Sequence, residues 1–196
     1  MEDILMSKLQ AKLKDDETLL WSARPETFEI LDKTHKAHFI RKAIVIAVVF
    51  AAIVAVYIYA AINTHSSVQI PVIIIGLAAA LYGVFGEIID GRKLQNKTIY
   101  ALTDQRMIAL MGMSFEAVDY DRVSDYEFVT DEDGHTSLLC GERAREVKPF
   151  SRRTVTVCGA QNNAETGECQ GFAMYGVSAE VKSIEKIISR RIGAEQ

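Results

Sequence analysis

Glu29, Asp32, His35 and His38 stand three residues apart, a spacing that on a helix could place several ligand atoms on one face to hold a metal ion. No H-E-x-x-H pattern or nearby cysteine supports that chemistry, so the segment reads as a polar linker; no metal and no other cofactor is expected. Ser151, Cys140, Cys158 and Cys169 are the candidate nucleophiles. None has a base and an orienting acid at a readable spacing, so the thiols read as structural and the chain as non-catalytic. His65 and His135 have no obvious partner in the sequence. The densest charge lies in GERAREVKPFSRR, where Arg143, Arg145, Lys148, Arg152 and Arg153 are expected in a loop able to bind an acidic protein tail or a membrane surface, with Glu142 and Glu146 offsetting them. AQNNAETGECQG has turn chemistry and no phosphate-loop pattern.

The elements that must position these residues divide into two kinds. Residues 43–62, AIVIAVVFAAIVAVYIYAAI, are uncharged throughout and match the roughly 20 apolar residues needed to cross a bilayer as a helix. A second apolar run begins at Val68 and carries Pro71 near its start, where a helix tolerates proline. The two runs predict a transmembrane hairpin within residues 40–90, with spans at about 43–62 and 68–89. Lys33, Lys36, Arg41 and Lys42 precede it and Arg92, Lys93 and Lys97 follow it, whereas NTHSS between the runs has no lysine or arginine. Both termini are therefore expected in the cytoplasm, in a two-span protein of the cytoplasmic membrane. Arg41, Lys42, Arg92 and Lys93 are placed to meet anionic lipid headgroups without selectivity. Ala43, Ala47, Ala51 and Ala55, and likewise Gly76, Ala80 and Gly83, form small-residue tracks expected to pack the hairpin together, with self-association as the alternative.

A net charge of −4 in 196 residues gives no bulk positive field, which argues against a nucleic-acid partner. Three cysteines without C-x-x-C spacing indicate neither a disulfide framework nor a zinc ribbon, and suit a reducing compartment. The N-terminal residues alternate charged and apolar types, which predicts an amphipathic helix over 1–14 rather than a cleaved signal. Its stripe of Ile4, Leu5, Leu9 and Leu13 would rest on the sheet or on the bilayer interface. From Lys97 the periodicity becomes strand-like. KTIYALT and RMIALMG can pair across Asp104-Gln105, SFEAVDY and VSDYEFV extend the meander, DEDGHT makes a turn, and TSLLC, TVTVCGA and GFAMYG supply further strands. Ser178 is placed to cap a final helix whose Val181, Ile184, Ile187, Ile188 and Ile192 share a face.

DETLLWSARPE at residues 16–26, IYALTDQRMIALMG at 99–112 and VDYDRVSDYEFV at 118–129 resemble, in that order, motifs of bacterial pleckstrin-homology-like (PH-like) domains. The resemblance implies a membrane α plus mostly-β class: a two-helix transmembrane hairpin inserted into a PH-like β-barrel or sandwich capped by a C-terminal α-helix. The split domain would comprise residues 15–32 and 97–196, with the strand from Leu19 to Arg24 joining the sheet of Tyr100 to Leu102. Leu19, Trp21, Tyr100, Leu102 and Ile108 would carry the fold, and Thr103 and Arg106 would organise the first hairpin. The implied function is non-catalytic: binding a protein partner, or self-assembly as a homo-oligomer, at the cytoplasmic membrane face. The alternative is a lipid-headgroup-sensing accessory component of transport or lipid metabolism.

Overall fold

The computed structural model describes residues 2–148, 151–162 and 168–192. Strand formation follows the sequence pattern closely at the start. After a helix α1 (Glu2–Gln10), strand β1 (Leu19–Ala23) is followed by helices α2 (Lys33–Asn63) and α3 (Ile70–Lys97). Strands β2 (Thr98–Thr103), β3 (Arg106–Met111) and β4 (Ser114–Asp119) come next, then β5 (Tyr126–Thr130) and β6 (Thr136–Cys140). A short helix α4 (Glu142–Glu146), strands β7 (Gly159–Asn162) and β8 (Cys169–Met174), and helix α5 (Val181–Ile192) complete the order. Two compact units result, Met1–Glu29 with Asp90–Gln196, and Ile30–Ile89.

In the first unit, two four-stranded antiparallel sheets run β1-β2-β3-β4 and β5-β6-β8-β7. The strand that precedes the long helices pairs with the strand that follows them: Trp21 faces Leu102, Ser22 faces Ala101 and Ala23 faces Tyr100. All six residues of β2 are buried because both faces of its sheet are covered. Ile99, Ala101, Ile108 and Leu110 pack with Leu5 and Leu9 of α1. On the other face Met107 lies against Cys140 of the second sheet, and the Tyr100 hydroxyl accepts the Tyr175 backbone N–H at 3.1 Å. Leu5 and Leu9 thus settle the position of α1 on its own domain, while Ile4 is 60% exposed. Ala144 of α4 covers the outer face of the second sheet beside Leu139 and Ala173.

Several expectations are corrected. The two sheets do not close into a barrel, since among the described residues no strand ladder joins them. Edges β4 and β7 meet instead through a side chain: Glu116 accepts the Ala160 N–H at 2.7 Å. Gly159, at φ +85°, brings the chain against that carboxylate where a Cβ would collide with it. β5 starts the second sheet rather than extending the meander. TVTVC forms turns, with Thr154 donating to the Ser151 carbonyl at 2.9 Å, and only Gly159–Asn162 is strand. Ser178 does not cap α5: its hydroxyl donates to Glu26, and Glu26 in turn accepts the Ala179 N–H, each at 2.7 Å.

In the second unit, two helices are long and apolar enough to cross a membrane. They are longer than the apolar runs: α2 starts at Lys33, and α3 continues unbroken to Lys97, so Arg92, Lys93 and Lys97 lie on the helix itself. Asp32 caps α2 by accepting the His35 N–H at 2.8 Å. His65, at φ +52°, closes its other end, where the N–H groups of His65 and Ser66 return to the carbonyls of Ile62 and Ala61. The glycine track packs as expected, Gly76 against Phe50 and Gly83 against Ile46. The alanine track does not: Ala47, Ala51 and Ala55 face outward.

Candidate functional site

The polar chemistry of the first unit gathers where the chain leaves it and returns, on Glu26–Glu29 and on the last turns of α3. Arg24, next to Pro25, carries its guanidinium to the carbonyls of Gln95 and Asn96 at 3.2 and 3.0 Å. Those carbonyls end a helix and carry the negative pole of its dipole, which a cation offsets. Gln95 donates to the Phe28 carbonyl at 3.4 Å, and Leu94 is fully buried.

The outgoing segment is held by a second cation. Arg153 is 4% exposed and donates to the Glu29 carbonyl at 3.0 Å, to Asp133 at 3.1 Å and to Asp131 at 3.3 Å. Its guanidinium lies 5.3 Å from the Phe28 ring centroid and 5.4 Å from that of Tyr175, whose rings meet edge to face at 5.2 Å. Asp131 shapes the β5–β6 turn, accepting the His135 N–H at 2.8 Å while also taking the Tyr175 hydroxyl at 3.0 Å. Burial opposes the charge on Asp131, but these bonds and Arg153 hold its carboxyl below the usual range. Glu26 is likewise lowered: burial is outweighed by bonds from Ser178, the Ala179 N–H and His135, the last at 3.5 Å.

A third network anchors the first hairpin. The Thr103 hydroxyl donates to Glu17 at 2.7 Å and accepts the Arg106 N–H at 3.0 Å. Arg106 forks onto both Glu17 oxygens at 2.8 and 2.7 Å, and the Tyr120 hydroxyl donates to the Thr103 carbonyl at 3.0 Å. Burial alone would raise the Glu17 pKa; the bonds from Arg106, the Lys14 N–H and Thr103 bring it down to about 2. Thr103 and Arg106 therefore organise the hairpin as expected, through a carboxylate the sequence did not single out.

Chemically, these groups are suited to holding. Ser178 delivers its proton to a carboxylate depressed away from neutrality, the wrong direction for a general base. Burial pushes the Cys140 thiol up to about 12 and the Cys158 thiol to about 11, which suppresses the reactive thiolate. Of the candidate ligand residues before and at the start of α2, Asp32 caps the helix, His35 Nδ1 lies 2.8 Å from it and His38 Nε2 lies 4.0 Å from Glu87.

The predicted cation groups are dispersed. Among the residues flanking the apolar runs, Lys42 pairs with Glu87 at 2.6 Å and Lys93 with Asp90 at 3.3 Å, while Arg41 and Arg92 are exposed. The expected basic loop is partly helix α4 and forms no single patch. Arg145 pairs with Asp125 at 2.7 Å, Arg143 reaches Gln170 at 3.5 Å, Lys148 is exposed, Arg152 is half-buried and Arg153 faces inward. No site role is legible in the sequence for Arg24, Glu26, Phe28, Asp131 and Tyr175, because their partners lie far along the chain. No family model, curated protein or solved structure matches the chain.

Proposed function

We propose that this chain is a non-catalytic, membrane-anchored PH-like protein whose split β domain binds a protein partner, or assembles with copies of itself, at the cytoplasmic face. The observation that carries the reading is the pairing of β1 with β2 across the two long apolar helices. A sheet completed by strands on either side of a helical hairpin requires both ends of that hairpin to return to one side of the bilayer. The Arg24 and Arg153 networks fasten the segments on either side of that insertion to the sheets. The hairpin, with no Lys, Arg, Asp or Glu between Lys42 and Glu87 and its one histidine, His65, in the turn, suits an anchor better than a transport pathway. Outward-facing Ala47, Ala51 and Ala55 would let a second helix approach closely in lipid.

Lysine-directed crosslinking in intact membranes, read by mass spectrometry, tests the reading. It predicts adducts joining the chain to another protein or to a second copy. If no protein adduct forms, and the full chain in liposomes instead discriminates lipid headgroups beyond their net charge, the headgroup-sensing alternative replaces it.

A further inference from the structure

A hollow of about 480 Å³ opens beside the turn of the first hairpin, and charges of both signs line it. Asp104 in the β2–β3 turn, Asp119 at the end of β4 and Asp121 in the single turn Tyr120–Arg122 supply carboxylates. Arg190 and Arg191 supply guanidiniums from the last turn of α5. Among the described residues none of these groups forms an ion pair, with one another or with any other side chain. Asp104 is held by the Thr18 N–H, which it accepts through one oxygen at 2.8 Å, leaving the other oxygen open. Lys14, a further cation of the wall, donates to Gln105 at 3.2 Å and not to a carboxylate. Tyr120, 8% exposed, adds an aromatic wall that is fixed by the bond from its hydroxyl to the Thr103 carbonyl.

From this arrangement we infer that the hollow binds a small zwitterion, with an ammonium group at the aspartates and a carboxylate or phosphate at the arginines. The site goes beyond the partner-binding reading and stands independently of it. Opposite charges that line one hollow without meeting leave a gap, which a solute carrying both signs closes. The ammonium has three N–H donors to share among the carboxylates, and an aromatic wall favours a cation. Guanidinium groups take the oxygens of a carboxylate or phosphate in paired hydrogen bonds. A simple cation or anion satisfies one wall and is repelled by the other, so the arrangement selects for both charges on one molecule. Free amino acids, free amino phosphates and the ethanolamine phosphate head of a lipid share this chemistry.

Saturation-transfer NMR on the full chain in non-ionic detergent tests the site, comparing γ-aminobutyrate and O-phosphoethanolamine with ethylamine, acetate and inorganic phosphate. The zwitterions should bind about fivefold or more tightly than the singly charged probes. Asp121→Asn should weaken the zwitterions about fivefold while leaving phosphate no weaker, whereas Arg191→Gln should weaken zwitterions and phosphate together. Both residues are exposed and outside any ion pair, so an unchanged urea midpoint will confirm folding. Zwitterions that bind no better than their singly charged counterparts would overturn the proposal. So would the absence of saturable binding at millimolar ligand, or variants that bind the zwitterions as the wild type does. Repeating the titration in nanodiscs separates the sources: loss of O-phosphoethanolamine binding in phosphatidylethanolamine discs but not in phosphatidylglycerol discs assigns the hollow to a lipid headgroup, and undiminished binding in both assigns it to a soluble molecule.

Discussion

Replacing Glu17 with Gln tests whether the network between α1 and the first hairpin stabilises the domain as its geometry requires. The substitution keeps the side chain's shape and a carbonyl for Thr103, but leaves Arg106, 13% exposed, without its carboxylate. The Glu17 side chain is 0% exposed and its pKa falls from the usual 4.5 to about 2. At 1.36 kcal/mol per unit, that difference corresponds to about 3 kcal/mol of stability. A depressed carboxyl contributes fully above its unfolded value and loses its contribution as pH falls through the folded one. The gap between wild type and Glu17→Gln should therefore be about 3 kcal/mol at pH 7, begin to shrink near pH 4.5, and close progressively toward pH 2. Urea unfolding of the full chain in detergent, followed by Trp21 fluorescence at a series of pH values, measures this directly. A gap below about 1 kcal/mol at pH 7, the scale of an exposed pair, would refute the reasoning. A gap unchanged down to pH 3 would do the same.

Three further outcomes follow from the packing and the clamps. Leu9→Ala should cost about 2–5 kcal/mol in the same assay because Leu9 is fully buried under β2 and β3, whereas Ile4→Ala should stay within about 0.5 kcal/mol. Arg24→Ala should cost about 1–3 kcal/mol by leaving the Gln95 and Asn96 carbonyls without their cation, with partial recovery in Arg24→Lys; identical stability of all three would remove the helix-end role. Maleimide at neutral pH should modify Cys169 and spare Cys140 and Cys158 until urea is added, and early labelling of either buried thiol would contradict their placement.

Local patterns made part of this architecture legible. IYALT and RMIALM flanking Asp104-Gln105 specify a hairpin within a short local stretch, and the unbroken apolar runs specify long helices. TVTVC alternates as well as any strand, yet it turns, because alternation does not reveal whether a neighbouring edge is available. Arg153 looked like part of a basic loop since its partners, Phe28, Glu29, Asp131 and Tyr175, come from three distant stretches of chain. The role of Glu17, though it lies in the motif at residues 16–26, could not be read for the same reason: its partners Thr103 and Arg106 lie 86 and 89 residues away. The alanine track repeats every four residues and so marks one helix face, but repetition does not say which face meets the other helix. The glycine track, aligned against Phe50 and Ile46, shows that only one of the two stripes was needed for that contact.

The central claim is that β1 and β2 form one sheet on the cytoplasmic side while the turn between the helices lies outside. Ser22 and Ala101 face each other in that sheet, and directly opposed residues of neighbouring strands lie within reach of a disulfide. A Ser22→Cys, Ala101→Cys chain with a protease site inserted at residues 64–69 should form a disulfide under mild oxidation in right-side-out membrane vesicles. External protease should then cut the turn, and the two fragments should travel together until a reductant separates them. A turn that external protease cannot reach, or fragments that part without reduction, would contradict the account.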